Sequence, residues 1–303
     1  MYISTIHQFE SIPILKQNGI DAIIVGIPDF SIRNCNTVSL EDLKIWKKEC
    51  DRNNLKLYIN FLKLIHEQEL EEVELTLSYL KEIKVDGIYF ADEGILYIAK
   101  KLHMESICIY QPETLITNSN DILFYLNEGI QSVSLAHELS LEEIRKIASK
   151  NHSFEILISG YYSILYSRRP LISNYFKAIQ KEKEKEQYTL IESTRTGKMP
   201  IVEDENGTYI FSEQPVESYD QLEELKKLNI ERFRIDSIFF DDQWTIDVLK
   251  SYLEKKNYIP GCSKWYYQES IKKKEKKDEN CDFIWSRCGL YWRQTILFAF
   301  QGF

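Results

Sequence analysis

Eight short β-rich runs, separated by segments of helical periodicity, constrain this chain more than any other feature. They read YISTI (2–6), DAIIVG (21–26), KLYINF (56–61), DGIYFA (86–91), SICIY (106–110), QSVSLA (131–136), FEILIS (154–159) and RFRID (232–236). Most are continuous apolar runs rather than alternations, the pattern of strands covered on both faces of a parallel sheet. Helical patterns lie at 39–53, 66–83, 119–129, 140–150, 219–229 and 241–257. Ser39, followed by Glu41 and Asp42, predicts an N-cap and an acidic first turn, and Ser140 with Glu143 predicts a capping box.

Strands and helices alternating over about 250 residues predict a (β/α)8 barrel of the TIM type. The competing open, doubly wound sheet needs a glycine-rich phosphate loop after an early strand, and IVGIPDF (24–30) supplies one glycine where that fingerprint has three. The spacing breaks once. Residues 161–219 form an insertion after the seventh strand, holding GYYSILYSRRPLISNYF (160–176), the charge run KEKEKE (181–186) and PIVEDENGTYIFSE (200–213). The last reads as a hairpin turning at Glu-Asn-Gly, and the charge run as a solvated helical face or linker. The expected organisation is a barrel over 1–257 that includes the insertion, and a C-terminal extension over 258–303.

With 44% hydrophobic and 28% charged residues in 303, the chain is ordinary for a globular protein. No apolar stretch reaches the 18 residues of a membrane span, and MYISTIHQFES lacks the features of a signal peptide, so the expected location is cytoplasmic. The net charge of −9 argues against a broad nucleic-acid-coating surface but permits a local basic patch. Six cysteines, at 35, 50, 108, 262, 281 and 288, form no CxxC pair, and no metal ligands are assigned.

In a barrel, residues just past the strand C-termini line the active face. Those positions hold Arg33, Asn60, Asp92, Glu93, Gln111, Glu113, His137 and Glu138, with Arg168 and Arg169 in the insertion. A mouth with several guanidiniums suits a small anionic ligand, because arginine grips carboxylate or phosphate bidentately. Asp92 could equally cap the following helix. No Ser-His-Asp order, HExxH or nucleophile elbow is present.

The segments GIDAIIVG…FSIR, VDGIYFADEGIL, AHELSLEEI and ISGYYSILYSRRPLISNYF, in that order, resemble the collagenase-like peptidase family. PIVEDENGTYIFS, a helix and RFRIDSIF are similar to its shorter branch in Gram-positive bacteria. The resemblance implies a partner role in prephenate-dependent hydroxylation of the tRNA wobble uridine, beside a larger, cysteine-bearing paralogue. Many relatives bind an iron–sulfur cluster with cysteines at the positions of Ser163 and Pro170, so no cofactor is expected in this chain. His137 stands where the family's motif has arginine. The predicted binding set is Arg33, Asn60, His137, Glu138, Arg168, Arg169, Asn174 and Tyr175, for tRNA or a small anion such as prephenate, with Ser173 helping to fix the loop. No catalytic residue is assigned. The alternatives are a hydrolase using Asp92, Glu93, Glu113 and His137, and a non-catalytic scaffold.

Overall fold

The computed structural model describes residues 1–151, 153–191, 197–254 and 263–264. The first seven strands are β1 (Tyr2–Thr5), β2 (Ala22–Gly26), β3 (Lys56–Phe61), β4 (Gly87–Phe90), β5 (Cys108–Tyr110), β6 (Ser132–Ser134) and β7 (Phe154–Gly160). The helices between them are α1 (Ile12–Gln17), α2 (Leu40–Arg52), α3 (Leu70–Ile83), α4 (Glu93–Lys101), α5 (Ser119–Asn127) and α6 (Leu141–Ala148). The insertion contributes β8 (Ser163–Ser167), α7 (Leu171–Ala178), β9 (Gln187–Ile191), β10 (Lys198–Asp204) and β11 (Gly207–Phe211). The chain then continues through β12 (Val216–Glu217), α8 (Leu222–Lys227), β13 (Arg232–Asp236), α9 (Asp242–Leu253) and β14 (Ser263–Lys264).

Strands β1 to β7 pair in parallel and in sequence order, and β13 pairs in parallel with both β1 and β7, closing an eight-stranded barrel. All eight β-rich runs of the sequence are these strands. The caps also fall where expected: Ser39 Oγ accepts from Asp42 N, and Ser140 and Glu143 close a capping box on α6. Strands β2 and β4 are buried along their whole length, consistent with helices outside and side chains inside the barrel. Gly87 is required by packing: a Cβ there would lie 2.5 Å from the Tyr58 ring, which fills the barrel interior beside it.

The chain divides into two compact units, the first holding Met1–Tyr162 and Pro215–Lys264, the second Ser163–Gln214 among the described residues. The insertion is therefore a unit of its own, with the antiparallel order β8-β11-β10-β9. Its hairpin is present as β10 and β11, paired from Ile201–Ile210 to Asp204–Gly207. KEKEKE takes the linker form of its two expected readings, non-helical between α7 and β9 and exposed except for the half-buried Lys183. One local expectation differs. The segment LISNYFKA, read as a loop, is helix α7, so Ser173, Asn174 and Tyr175 are helical residues. The barrel unit extends past residue 257 in β14, which joins the sheet through β12; the rest of the expected extension lies outside the described residues.

Candidate functional site

Five charged or polar side chains, Arg33, Gln111, Glu113, His137 and Arg234, converge at the C-terminal end of the barrel strands. Arg33, in the loop after β2, donates from Nη2 to Glu113 Oε1 at 2.9 Å. Gln111 Nε2 donates to the same oxygen at 2.6 Å. His137, after β6, places Nδ1 3.3 Å from Glu113 Oε2, too poorly aligned for a good hydrogen bond. Arg234, on β13, donates from Nη2 to His137 Nε2 at 3.4 Å. A guanidinium can only donate, so His137 Nε2 is the accepting nitrogen and the ring proton sits on Nδ1, facing Glu113.

Burial alone would raise the Glu113 carboxyl, but Arg33, His137, Arg234 and the Gln111 bond outweigh it and hold the group at about 2. Burial drives His137 the other way, down to about 4; Glu113 opposes that shift, while Arg234 and Arg33 reinforce it. At neutral pH the site thus contains an ionised carboxylate and a neutral imidazole. Arg33 and Glu113 are also both in left-handed backbone conformation, with φ of 52° and 68°. Each non-glycine residue held there costs about 1–3 kcal/mol, and such strain persists where surrounding contacts enforce it.

Below this layer the barrel interior carries a second charged group. Glu155 on β7 is fully buried, accepts from Tyr89 Oη at 2.6 Å, and lies 3.6 Å from Arg234 Nε and 3.7 Å from Arg232 Nη2. The Arg232 guanidinium carbon stands 5.5 Å from the centre of the Tyr58 ring. Arg234 thereby links the interior pair to the mouth. Strand-end reasoning did not single out Glu155, Arg232 or Arg234; their signal is three charges inside runs that otherwise read FEILIS and RFRID.

The other barrel positions have different roles. Asn60 is buried, with Nδ2 donating to Ile32 O at 2.7 Å and Oδ1 accepting from Ile32 N and Leu62 N. Its amide shapes the loop that carries Arg33. Asp92 caps α4 through Gly94 N and also accepts from Ile65 N, and Glu93 Oε1 accepts from the Tyr110 and Tyr125 hydroxyls. Glu138 is exposed, and the cap of α6 is Ser140. Beside His137, the Tyr162 ring packs edge-on at 5.6 Å between centroids.

In the second unit, Arg168 and Arg169 form the turn between β8 and α7; Arg168 is half-buried and Arg169 exposed. Asn174 is exposed on α7, and Tyr175 is half-buried. Ser163 begins β8 and is buried, whereas Pro170 is the exposed N-cap of α7. Among the described residues no group of three or more His, Cys, Asp or Glu could hold a metal ion, and burial pushes the Cys50 and Cys108 thiols up to about 12.

A family model described as peptidase family U32 matches residues 7–285. The chain is 30% identical over 247 residues to tRNA hydroxylation protein P2 of Bacillus subtilis (strain 168), covering 79% of this chain and 80% of that protein. It is 21% identical to tRNA hydroxylation protein P1 of the same organism and 23% identical to tRNA hydroxylation protein P of Escherichia coli (strain K12). Those two alignments cover 75% and 72% of this chain but 56% and 59% of the relatives, so the chain spans little more than half of either. Among solved structures, the U32 peptidase Mk0906 aligns at a TM-score of 0.48 and 12% identity, over 78% of this chain and 91% of that one. The matched span takes in every barrel strand but β1, the arginine turn and the hairpin, and the chain belongs to peptidase family U32.

Proposed function

We propose that this chain acts in tRNA wobble-uridine 5-hydroxylation as a subunit that binds substrate or partner, beside a larger, cysteine-bearing paralogue that supplies the redox centre. The names of the relatives support the pathway. The observation that carries the binding role is the locked state of the barrel mouth. A hydrolytic base must be near its own pKa at working pH. Glu113, held at about 2, is too weak a base at neutral pH, and His137 presents Nε2 to Arg234 and Nδ1 to Glu113. Asp92 and Glu93, the remaining acids of the hydrolase alternative, accept from Gly94 and Ile65 amides and from two tyrosines.

Such a mouth is suited to holding an anion in a fixed place. Arg33 directs Nη2 to Glu113, and its other N–H groups can meet a carboxylate of a ligand such as prephenate. In the second unit, the Arg168–Arg169 turn is the contact for tRNA phosphate. The test is deletion of the gene followed by mass spectrometry of total tRNA nucleosides. Loss of the hydroxyuridine-derived wobble nucleosides, restored by the wild-type gene, is the expected result. Unchanged nucleosides in a strain lacking every paralogue but the redox subunit, or gelatin cleavage by pure protein that His137→Ala abolishes, would replace this reading with the scaffold or the hydrolase.

A further inference from the structure

The second unit contains one carboxylate whose surroundings are unlike those of any surface acid. Glu203, on β10, is 2% exposed by side chain and lies at the N-terminus of α7. Its Oε2 accepts from Ile172 N at 2.6 Å, Ser173 N at 3.2 Å and Thr208 Oγ1 at 3.1 Å. Its Oε1 accepts from Ser173 Oγ and, at 2.9 Å, from Lys183 Nζ. The end of a helix that could have received an external anion is therefore filled from within the unit.

The same contacts reach the arginine turn. Thr208 Oγ1 accepts from Leu171 N at 3.0 Å and shares its single proton between Arg169 O at 2.8 Å and Glu203 Oε2, so one hydroxyl joins Glu203, Arg169 and the start of α7. On the opposite strand, Gly207 has φ of 137° and passes so close that a Cβ would sit 2.2 Å from Ser167 O and 3.0 Å from Arg168 Cα. Tyr166 Oη donates to Asn206 O at 3.1 Å. Ser167 and Arg168 thus lie against the backbone of the β10–β11 hairpin, Arg169 O is held by the Thr208 hydroxyl, and the carboxylate fixes the residues just after Pro170.

We infer that Glu203 is the positioning residue of the Arg168–Arg169 turn: by anchoring α7 and Thr208 it presents both guanidiniums in one arrangement to an RNA phosphate backbone. This rests on the tRNA-binding reading of the turn. Phosphate contacts displace counterions, so each arginine that truly touches phosphate adds about one to the slope of log affinity against log salt. A carboxylate that merely stabilised the fold would leave that slope alone.

The experiment measures binding of full-length chain to a transcribed tRNA with uridine at the wobble position, across a salt series. The proteins are wild type, Arg168→Ala/Arg169→Ala, Glu203→Gln and the triple variant. Removing both arginines is expected to lower the slope by about two. Glu203→Gln is expected to lower it in the same direction, and the triple variant to bind no more weakly than the arginine double variant. A wild-type slope for Glu203→Gln, or losses that simply add in the triple variant, would overturn the positioning role while leaving the tRNA reading intact. A wild-type slope for the arginine double variant would overturn the tRNA reading itself. Should Glu203→Gln fail to fold, Thr208→Val carries the same comparison: a smaller, non-additive loss of slope supports the inference, and an unchanged slope contradicts it.

Discussion

The barrel mouth and the arginine turn both use guanidiniums, and they use them in opposite ways. Arg33 and Arg234 are almost wholly buried, with side chains 8% and 3% exposed, and each faces a carboxylate or an imidazole of the same unit. Arg169 projects from a turn that is held through its backbone by Thr208. Burial makes the first pair part of the architecture: removing one partner leaves a charge without solvent or counter-charge. Exposure makes Arg169 available to a partner but worth little to stability. The same residue type therefore sets the electrostatics of one unit and offers a contact in the other.

This contrast can be broken or sharpened by substitution. The largest effect belongs to Glu155→Ala, which leaves Arg232 and Arg234 facing each other's charge in the barrel core. It is expected to cost about 3–5 kcal/mol in chemical denaturation; a cost below about 1 kcal/mol would show that the interior charges are solvated after all.

Acid should expose the mouth next. His137 is held at about 4 in the folded chain against an ordinary 6.5, so the unfolded chain binds more protons in that window and stability falls as pH drops from about 6.5 toward 4. Glu113, held at about 2 against 4.5, extends the loss at lower pH as its ion pairs are discharged. The His137 contribution amounts to roughly 3 kcal/mol, and His137→Asn should flatten the stability profile between those limits. A profile that His137→Asn leaves unchanged would place the titration elsewhere.

Asn60→Ala removes an amide that bonds Ile32 on both sides and should cost about 1–3 kcal/mol, since buried backbone groups lose their partners. It should also weaken the mouth by loosening the loop under Arg33, a displacement visible in a crystal structure of the variant. The smallest stability effect is expected from Arg168→Ala/Arg169→Ala, within about 0.5 kcal/mol of wild type. A large loss from that variant would mean that the turn is structural and would erase the distinction between the two regions.

Much of the fold was legible because its signals are repeated. Eight apolar runs, evenly spaced but for the insertion before the last, mark eight strands, and caps such as Ser39 and Ser140 mark their helices with local hydrogen bonds. Short elements escaped. IPILKQ and LISNYFKA are a turn or two of helix whose stability comes from tertiary partners, in α7 from Glu203, a residue some thirty positions away in sequence. At the site, strand-end logic found Arg33, Glu113 and His137, because their loops follow directly from the strand limits. It missed Arg234 and Glu155, which point inward from mid-strand and whose pairing depends on β13 closing against β7. The bonds of Asn60 to Ile32 were not legible either, because a strand position does not reveal which backbone groups a side chain will satisfy.

The most direct test of the account returns to the cell. Wobble-nucleoside mass spectrometry would compare a deletion strain complemented with wild type, Arg33→Ala, and Arg168→Ala/Arg169→Ala, each checked for equal protein level. The account predicts full hydroxylation with wild type and loss with both variants, because one removes the anion contact of the mouth and the other the phosphate contact of the turn. Full hydroxylation in both variants, at protein levels equal to wild type, would contradict it and leave the barrel as a scaffold.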